Sequence, residues 1–374
     1  MKEKQSGQKR KKSGRYPHAG FTLVELLVGS TILLIVVLAS LSLYRTSNQI
    51  AVDQQQFIEL QHDVRTAMYL ITRDVRQTGA GLEKEFYGYV LEGLDNEAQG
   101  GDVDPDRVKM LGNLDDPLHM DISNYQGSAV NLSVDDWSFE KNPYPDEFYE
   151  GMVVIILPNP DSGCRSGEIR EITHVTHDAG GTNEKFNFSP GLAPYIDPPG
   201  GLAGTCPDSN DYDGGLLSFV NVKEYWLDVT GNYPGLTPGE RGYIGNGEGG
   251  VLYLNNNGYQ FPLARNIENL QFQYNGDADN DGFLDGFMDW QASWTGDTDL
   301  VSRIRQIRIW VLGRTPNPFV SIGANPPANI HLYRRPSIAN SPQSSQDDKH
   351  RRFLLDSTAN TRNPSLNIYN TGTR

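Results

Sequence analysis

Nineteen consecutive residues, 26–44 (LLVGSTILLIVVLASLSLY), carry no charged side chain. As a helix rising 1.5 Å per residue they span about 28 Å, close to the roughly 30 Å hydrocarbon core of a bilayer. Residues 1–20 hold seven Lys/Arg against one Glu, while the whole chain of 374 residues has a formal net charge of −15. The basic excess is thus concentrated ahead of the apolar run and the acidic excess after it. By the positive-inside rule the leader stays cytoplasmic and the remainder lies outside. A cleaved secretory signal or an ordinary signal anchor would satisfy this much, but neither explains Glu25, a carboxylate one residue before the run. On insertion scales such a group costs about 2.5–3.5 kcal/mol, so it needs a partner or a task.

The helical period outlasts the apolar run. Ile50, Phe57, Leu60, Val64, Met68, Ile71 and Val75 recur at spacings of three, four and seven, which is one stripe of an α-helix. Gln54, Glu59, Asp63, Arg65, Arg73, Asp74 and Arg76 fill the rest. No proline interrupts residues 21–80, and Gly79 and Gly81 supply a C-terminal stop. The spacing predicts one helix of about fifty residues, roughly 80 Å long. Its first half, 21–48, crosses the membrane, and its amphipathic second half, 49–80, lays the stripe on a folded body. Fewer than four heptads, followed directly by folded sequence, argue against a free coiled coil.

The head of this helix, Gly20-Phe21-Thr22-Leu23-Val24-Glu25-Leu26-Leu27 behind a basic leader, resembles the class III signal of type IV pilins and type II secretion pseudopilins. The resemblance implies that a prepilin peptidase cuts between Gly20 and Phe21 and N-methylates Phe21. Residues 1–20 are then a leader, and Glu25 is the acidic fifth residue of the mature chain. There it meets the N-terminal amine of a neighbouring subunit inside an apolar filament core, where low dielectric strengthens an ion pair and penalises an unpaired charge. Implied partners are the peptidase, other minor and major pilins, an inner-membrane assembly platform and a tip adhesin.

Beyond residue 85 the helical period stops. Short runs rich in Val, Ile, Tyr, Phe and Trp alternate with clusters drawn from 39 Gly and 22 Pro, the pattern of antiparallel strands and turns. Strands are expected at 151–157, 168–174, 219–228, 250–254, 263–274, 304–313 and 352–357. Residues 91–145 and 176–215, dense in Gly, Asp, Asn and Pro, are expected as excursions, and 336–349 as a polar, mobile stretch. The fold class is therefore α+β and pilin-like: a long N-terminal helix packed on an antiparallel β-rich body (81–335) with long loops. A polar tail (336–374) follows, with a last strand near 350–360.

Four stretches resemble the PilW family of minor pilins: 63–76 (DVRTAMYLITRDVR), 264–274 (ARNIENLQFQY), 303–311 (RIRQIRIWV), and an Arg-rich course from Tyr333-Arg334-Arg335 through Arg352 to Arg362-Asn363. The two excursions and the residues after Asn363 have no counterpart in that resemblance. J-type pseudopilins share the helix-plus-sheet plan and stay as the alternative.

The densest chemical motif is 277–285 (DADNDGFLD). Asp277, Asp279 and Asp281 at alternate positions, Gly282 at the sixth, the Phe283 carbonyl and Asp285 at the ninth match a D-x-D-x-D-G calcium loop. Met288 stands at the twelfth position, where a bidentate Glu would complete the set, and Asp289 comes one residue late, so modest affinity is expected. A solvated acidic turn is the alternative. Asp102, Asp104 and Asp106 also alternate, but Pro105 stiffens that run and Arg107 replaces the turn glycine.

Two cysteines, Cys164 and Cys206, offer no zinc framework and pair as one candidate disulfide outside the cytoplasm. The acidic body argues against nucleic-acid binding. With no G-x-S-x-G, H-E-x-x-H or Cys/His nucleophile arrangement, no catalytic role is expected. The sequence points to a structural subunit, a minor pilin that initiates or caps pilus assembly from the inner membrane, with its body periplasmic. The alternatives are a type II secretion pseudopilin and a membrane-tethered calcium-binding adhesin or hydrolase.

Overall fold

Helix α1 runs from Leu23 to Gln77 without interruption. The computed structural model describes residues 20–79, 91–95, 105–112, 119–125, 129–133, 151–162, 168–177, 183–188, 209–228, 250–257, 259–295, 300–301, 303–318, 333–343 and 347–361. The chain divides into two compact units, Met1–Gln54 and Gln55–Arg374.

In the first unit, residues 20–45 are exposed at every position. Phe21, Leu23, Leu33, Ile35 and Leu43 each leave more than half of their surface uncovered. By length and composition this helix can cross a membrane, and among the described residues its most apolar stretch is not buried. The hydroxyls within it are satisfied by the helix itself: Ser30 and Thr31 donate to the Leu27 carbonyl (2.9 and 2.8 Å), and Ser40 donates to that of Val36 (2.8 Å). A polar group so paired costs little in hydrocarbon.

The second unit contains β1 (Leu91–Leu94), β2 (Arg107–Gly112), β3 (His119–Tyr125), β4 (Ala129–Ser133), β5 (Val153–Leu157), β6 (Glu168–His177), β7 (Asn183–Phe188) and β8 (Leu216–Phe219). It continues with β9 (Asn221–Asp228), β10 (Gly250–Asn256), β11 (Tyr259–Gly276), β12 (Ile304–Arg314), β13 (Tyr333–Arg334), β14 (Asp347–Asp348) and β15 (Arg352–Asn360). Seven of them form a wholly antiparallel sheet in the order β1-β2-β9-β10-β11-β12-β15. The expected stripe supplies its helical cover: Leu60, Val64, Met68, Ile71 and Val75 are at most 5% exposed and join Ala67 in one core with Tyr225, Leu252, Ile267, Phe272, Ile309 and Val311. Ile50, which the period placed on the same stripe, is exposed. The helix ends as expected at Gly79 (φ 73°), whose N–H donates to the Leu111 carbonyl at 2.8 Å. A positive φ there suits a residue without Cβ.

The supposed excursions hold structure that the sequence pattern missed. Strands β1 to β4 fall within 91–145 and β7 within 176–215, and β3-β4-β7-β6-β5-β8 close into a six-stranded barrel. The barrel sits in the chain between β2 and β9, two neighbours of the main sheet. Closure removes the unpaired strand edges that such short strands would otherwise leave. Strand β5 explains why its sequence is apolar throughout. Val153, Ile155 and Leu157 pack with Leu111, Val220 and Val222, while Val154 and Ile156, on the opposite face, are 0% exposed as well. The single strand expected at 219–228 is two. The chain leaves the barrel at Val220, whose N–H donates to Val153, and enters the sheet at Asn221.

The stretch expected to be polar and mobile is also folded where it is described. Ile338 is 3% exposed and packs on Trp310 and Leu312, Ser341 is 1% exposed and accepts a hydrogen bond from Asn269, and β13 pairs with β14. One apolar anchor in a polar run is too little for a period-based expectation to detect.

Candidate functional site

The start of α1 is closed by a reciprocal pair. The Thr22 amide and hydroxyl both donate to Glu25 Oε2 at 2.9 Å, and the Glu25 amide donates back to Thr22 Oγ1 at 3.3 Å. This is a capping box: it satisfies helix-end N–H groups and sets a carboxylate at the positive end of the helix dipole. The sequence names the need of Glu25 for a partner, and the structure supplies Thr22 within the same chain. The Thr-x-x-Glu spacing is the signal that identifies it. Gly20 and Phe21 precede the helix and are exposed, Phe21 at 86%, with no heavy atom within 4 Å of where a Gly20 Cβ would stand.

The aspartate motif forms the turn that leaves β11. Asp277, Asp279 and Asp285 bring carboxylate oxygens within 4.8 Å of one another. Asp281 is not part of that group; its Oδ1 accepts the Phe283 amide at 2.8 Å. Asp277 is 1% exposed and accepts the amides of Asp281 and Gly282, both at 2.9 Å; Asp285 accepts the amide of Ala278 at 2.7 Å. Positive φ at Asn280 (64°) and Gly282 (90°) makes the tight course possible. The Asp281 amide lowers the pKa of Asp279, but desolvation and the charges of Asp281, Asp285 and Asp277 outweigh it, and the net shift is upward. Crowded carboxylates resist full ionisation unless a cation joins them. The Phe283 side chain is 75% exposed. A small apolar hollow beside the turn is lined by Gly276, Asp277, Ala278, Met288, Trp294, Leu300 and Ile304.

Asp106 belongs to the fold, since it is 3% exposed and its Oδ2 accepts the Phe272 amide at 2.8 Å. Asp102, Asp104, Cys164 and Cys206 lie outside the described residues.

Residues 15–41 match the family model of the prokaryotic N-terminal methylation motif. No curated protein and no solved structure matches the chain. The chain therefore carries a type IV pilin-like N-terminal methylation signal, the kind that a prepilin peptidase processes, on a helix able to anchor it in a membrane.

Proposed function

We propose that this protein is a minor pilin of a type IV pilus, a PilW-like structural subunit that initiates or caps filament assembly from the inner membrane. One observation carries the reading: the methylation signal opens a single unbroken helix whose later turns are inlaid in an antiparallel sheet. The PilW resemblance gains support from where its parts fall. Residues 63–76 supply the buried helix stripe, while 264–274 and 303–311 lie on the adjacent strands β11 and β12. Tyr333, Arg334 and Arg352 fall on β13 and β15, and Arg362-Asn363 lies outside the described residues.

In this reading the peptidase cuts between Gly20 and Phe21 and methylates Phe21, and residues 21–48 form the membrane and filament-core segment. Glu25 exchanges its Thr22 partner for the amine of a neighbouring subunit, and the body is periplasmic. Mass spectrometry should find N-methyl-Phe21 at the mature N-terminus, and Gly20→Glu should block maturation. Deleting the gene in its native host should remove surface pili and leave protein secretion intact. Lost secretion with normal pili would instead make the chain a J-type pseudopilin, and a mature chain that keeps Met1 would sink both assignments.

A further inference from the structure

On α1, the residues opposite the buried stripe form a second line. Ile58, His62, Arg65, Tyr69 and Arg73 each precede a sheet-facing residue (Leu60, Val64, Ala67, Ile71, Val75) by two positions, a rotation of about 200°. Arg76 extends the line. Ile58 and Tyr69 are 64% and 67% exposed, and His62, Arg65 and Arg76 are exposed. The line contains no Asp or Glu, in a chain of net charge −15. Arg73 is held by Asp74 and the Arg65 guanidinium lies 5.7 Å over the Phe353 ring, while neither Arg65 nor Arg76 has a carboxylate partner among the described residues.

The β11–β12 turn has the opposite character. Asp279, Asp281 and Asp285 are exposed, with no ion pair among the described residues, and they surround Phe283, Leu284 and Phe287, which are 75%, 41% and 36% exposed. Large exposed apolar groups ringed by charge of one sign mark an interaction surface.

We propose that the basic line of one subunit receives the aspartate–phenylalanine turn of a second copy of this chain. The cations Arg65 and Arg76 complement the exposed aspartates, and Ile58 and Tyr69 offer apolar cover for Phe283, Leu284 and Phe287. A symmetric contact of the line with itself is excluded, because it would set arginine against arginine. Two different surfaces make a head-to-tail contact, which does not close on itself unless its rotation does. The inference goes beyond the pilin reading and does not depend on it, since every residue involved lies in the second unit.

The test places the photo-crosslinker p-benzoylphenylalanine at Tyr69 in the full chain, held in detergent micelles with chelator present. A product of twice the monomer mass is expected, with its acceptor peptide within 277–287. The pair Arg65→Glu and Arg76→Glu should cut the yield at least tenfold, as should raising salt from 50 to 500 mM. Both substitutions are at exposed positions, and an unchanged melting temperature would show that the fold is kept. A product that stays monomeric, an acceptor peptide outside the turn, or a yield indifferent to charge reversal would overturn the proposal.

Discussion

The Tyr225 hydroxyl donates a 2.6 Å hydrogen bond to Asp74 Oδ2, and both side chains are 0% exposed. Asp74 stands in the last turns of α1 and Tyr225 on β9. Lys223, 2% exposed, places its ammonium 3.4 Å from the same oxygen, and Arg73 holds Oδ1 at 2.8 Å. A charge so deep persists only when paired, and this set joins the end of the helix to the sheet at one rotation. Asp74→Ala, which takes the carboxylate away from the buried Lys223 ammonium, should cost about 3–5 kcal/mol. Tyr225→Phe should cost about 1.5–3 kcal/mol, the worth of a hydrogen bond to a charged group. In chemical denaturation, Asp74→Leu combined with Lys223→Met should lose much less than the sum of the single changes. Simple additivity would mean that the two charges are not coupled.

At Gly313 the helix side chains lie directly against the sheet backbone. A Cβ built there would stand 2.5 Å from Leu60 Cδ1 and 2.6 Å from Val64 Cγ2, at the start of the buried stripe. Gly313→Ala should therefore lift the helix or distort β12, at about 1–3 kcal/mol, read as a lower melting temperature. Methylation of the N-terminus, remote from that contact, should be unaffected. Equal stability of the variant would mean that the helix does not lie on β12 at this distance.

The helix and the main sheet were largely legible because their signals are local. The stripe from Leu60 to Val75 recurs every three or four residues, and the expected strands are marked by β-branched, aromatic or other apolar residues between turn clusters. Of the barrel, β5 and β6 fall where strands were expected at 151–157 and 168–174, but β3 and β7 were not legible because they carry little apolar content of their own: β3 reads HMDISNY and β7 reads NEKFNF. They are strands because of partners far away in sequence, such as Ala129–Ser133 against Asn183–Asn187. Strand β11 also starts earlier than expected, running through Pro262 and through a bulge at Asn266, whose φ is 60°. In β9 the expected alternation changes face: Tyr225 and Leu227 join the helix core, whereas Val222 joins the barrel side. That parity is what turns Lys223 inward to Asp74, a pairing that no spacing rule announces. At the aspartate turn the alternation of carboxylates was legible, but the diversion of Asp281 to the Phe283 amide depends on backbone geometry.

The C-terminal hairpin should open in acid. Arg352, 9% exposed, forks onto Glu268 (2.6 and 2.9 Å) and reaches Asp348, while Arg334 pairs with Asp347. The Arg334 hydrogen bond lowers the pKa of Asp347. For Asp348, burial pushes upward, but hydrogen bonds from Arg352 and the His350 amide overcome it and leave the pKa lowered. Carboxylates with depressed folded pKa values stabilise fully above the unfolded value of about 3.9, and that contribution is lost as pH falls through the folded values. Hydrogen-exchange protection at Tyr333, Arg334, Asp347 and Asp348, taken relative to the unfolded-chain rate at each pH, should thus be steady from pH 7 to about 5 and fall below about 4. Asp348→Asn should lower the protection at neutral pH and flatten its dependence on pH. An acid-insensitive hairpin would show that the ion pairs contribute nothing to its closure.

Calcium is the last expectation, and the geometry of the turn sets its terms. Asp277, Asp279 and Asp285 already share one space, and desolvation together with the charges of Asp281, Asp285 and Asp277 outweighs the Asp281 amide and raises the pKa of Asp279. A divalent cation accepted there would replace repulsion by coordination, with the Phe283 carbonyl and water available to extend the oxygen set. An ion that binds only the folded chain stabilises it by mass action, by about 2.7 kcal/mol at a hundredfold excess over its dissociation constant. The full chain should therefore melt higher in millimolar calcium than in chelator, and the response should disappear in the double variant Asp279→Ala, Asp281→Ala. Asp285→Ala should be just as damaging, because Asp285 lies in the converging group and Asp281 does not. If Asp281→Ala alone abolished the response while Asp285→Ala left it intact, the site would be organised by the sequence repeat and not by the convergence seen here. Asp104→Ala should leave the response unchanged, since Pro105 and Arg107 deny that run the same turn. Superimposable melting curves with and without calcium would leave a solvated acidic turn, held together by the Asp281, Gly282 and Ala278 amides alone.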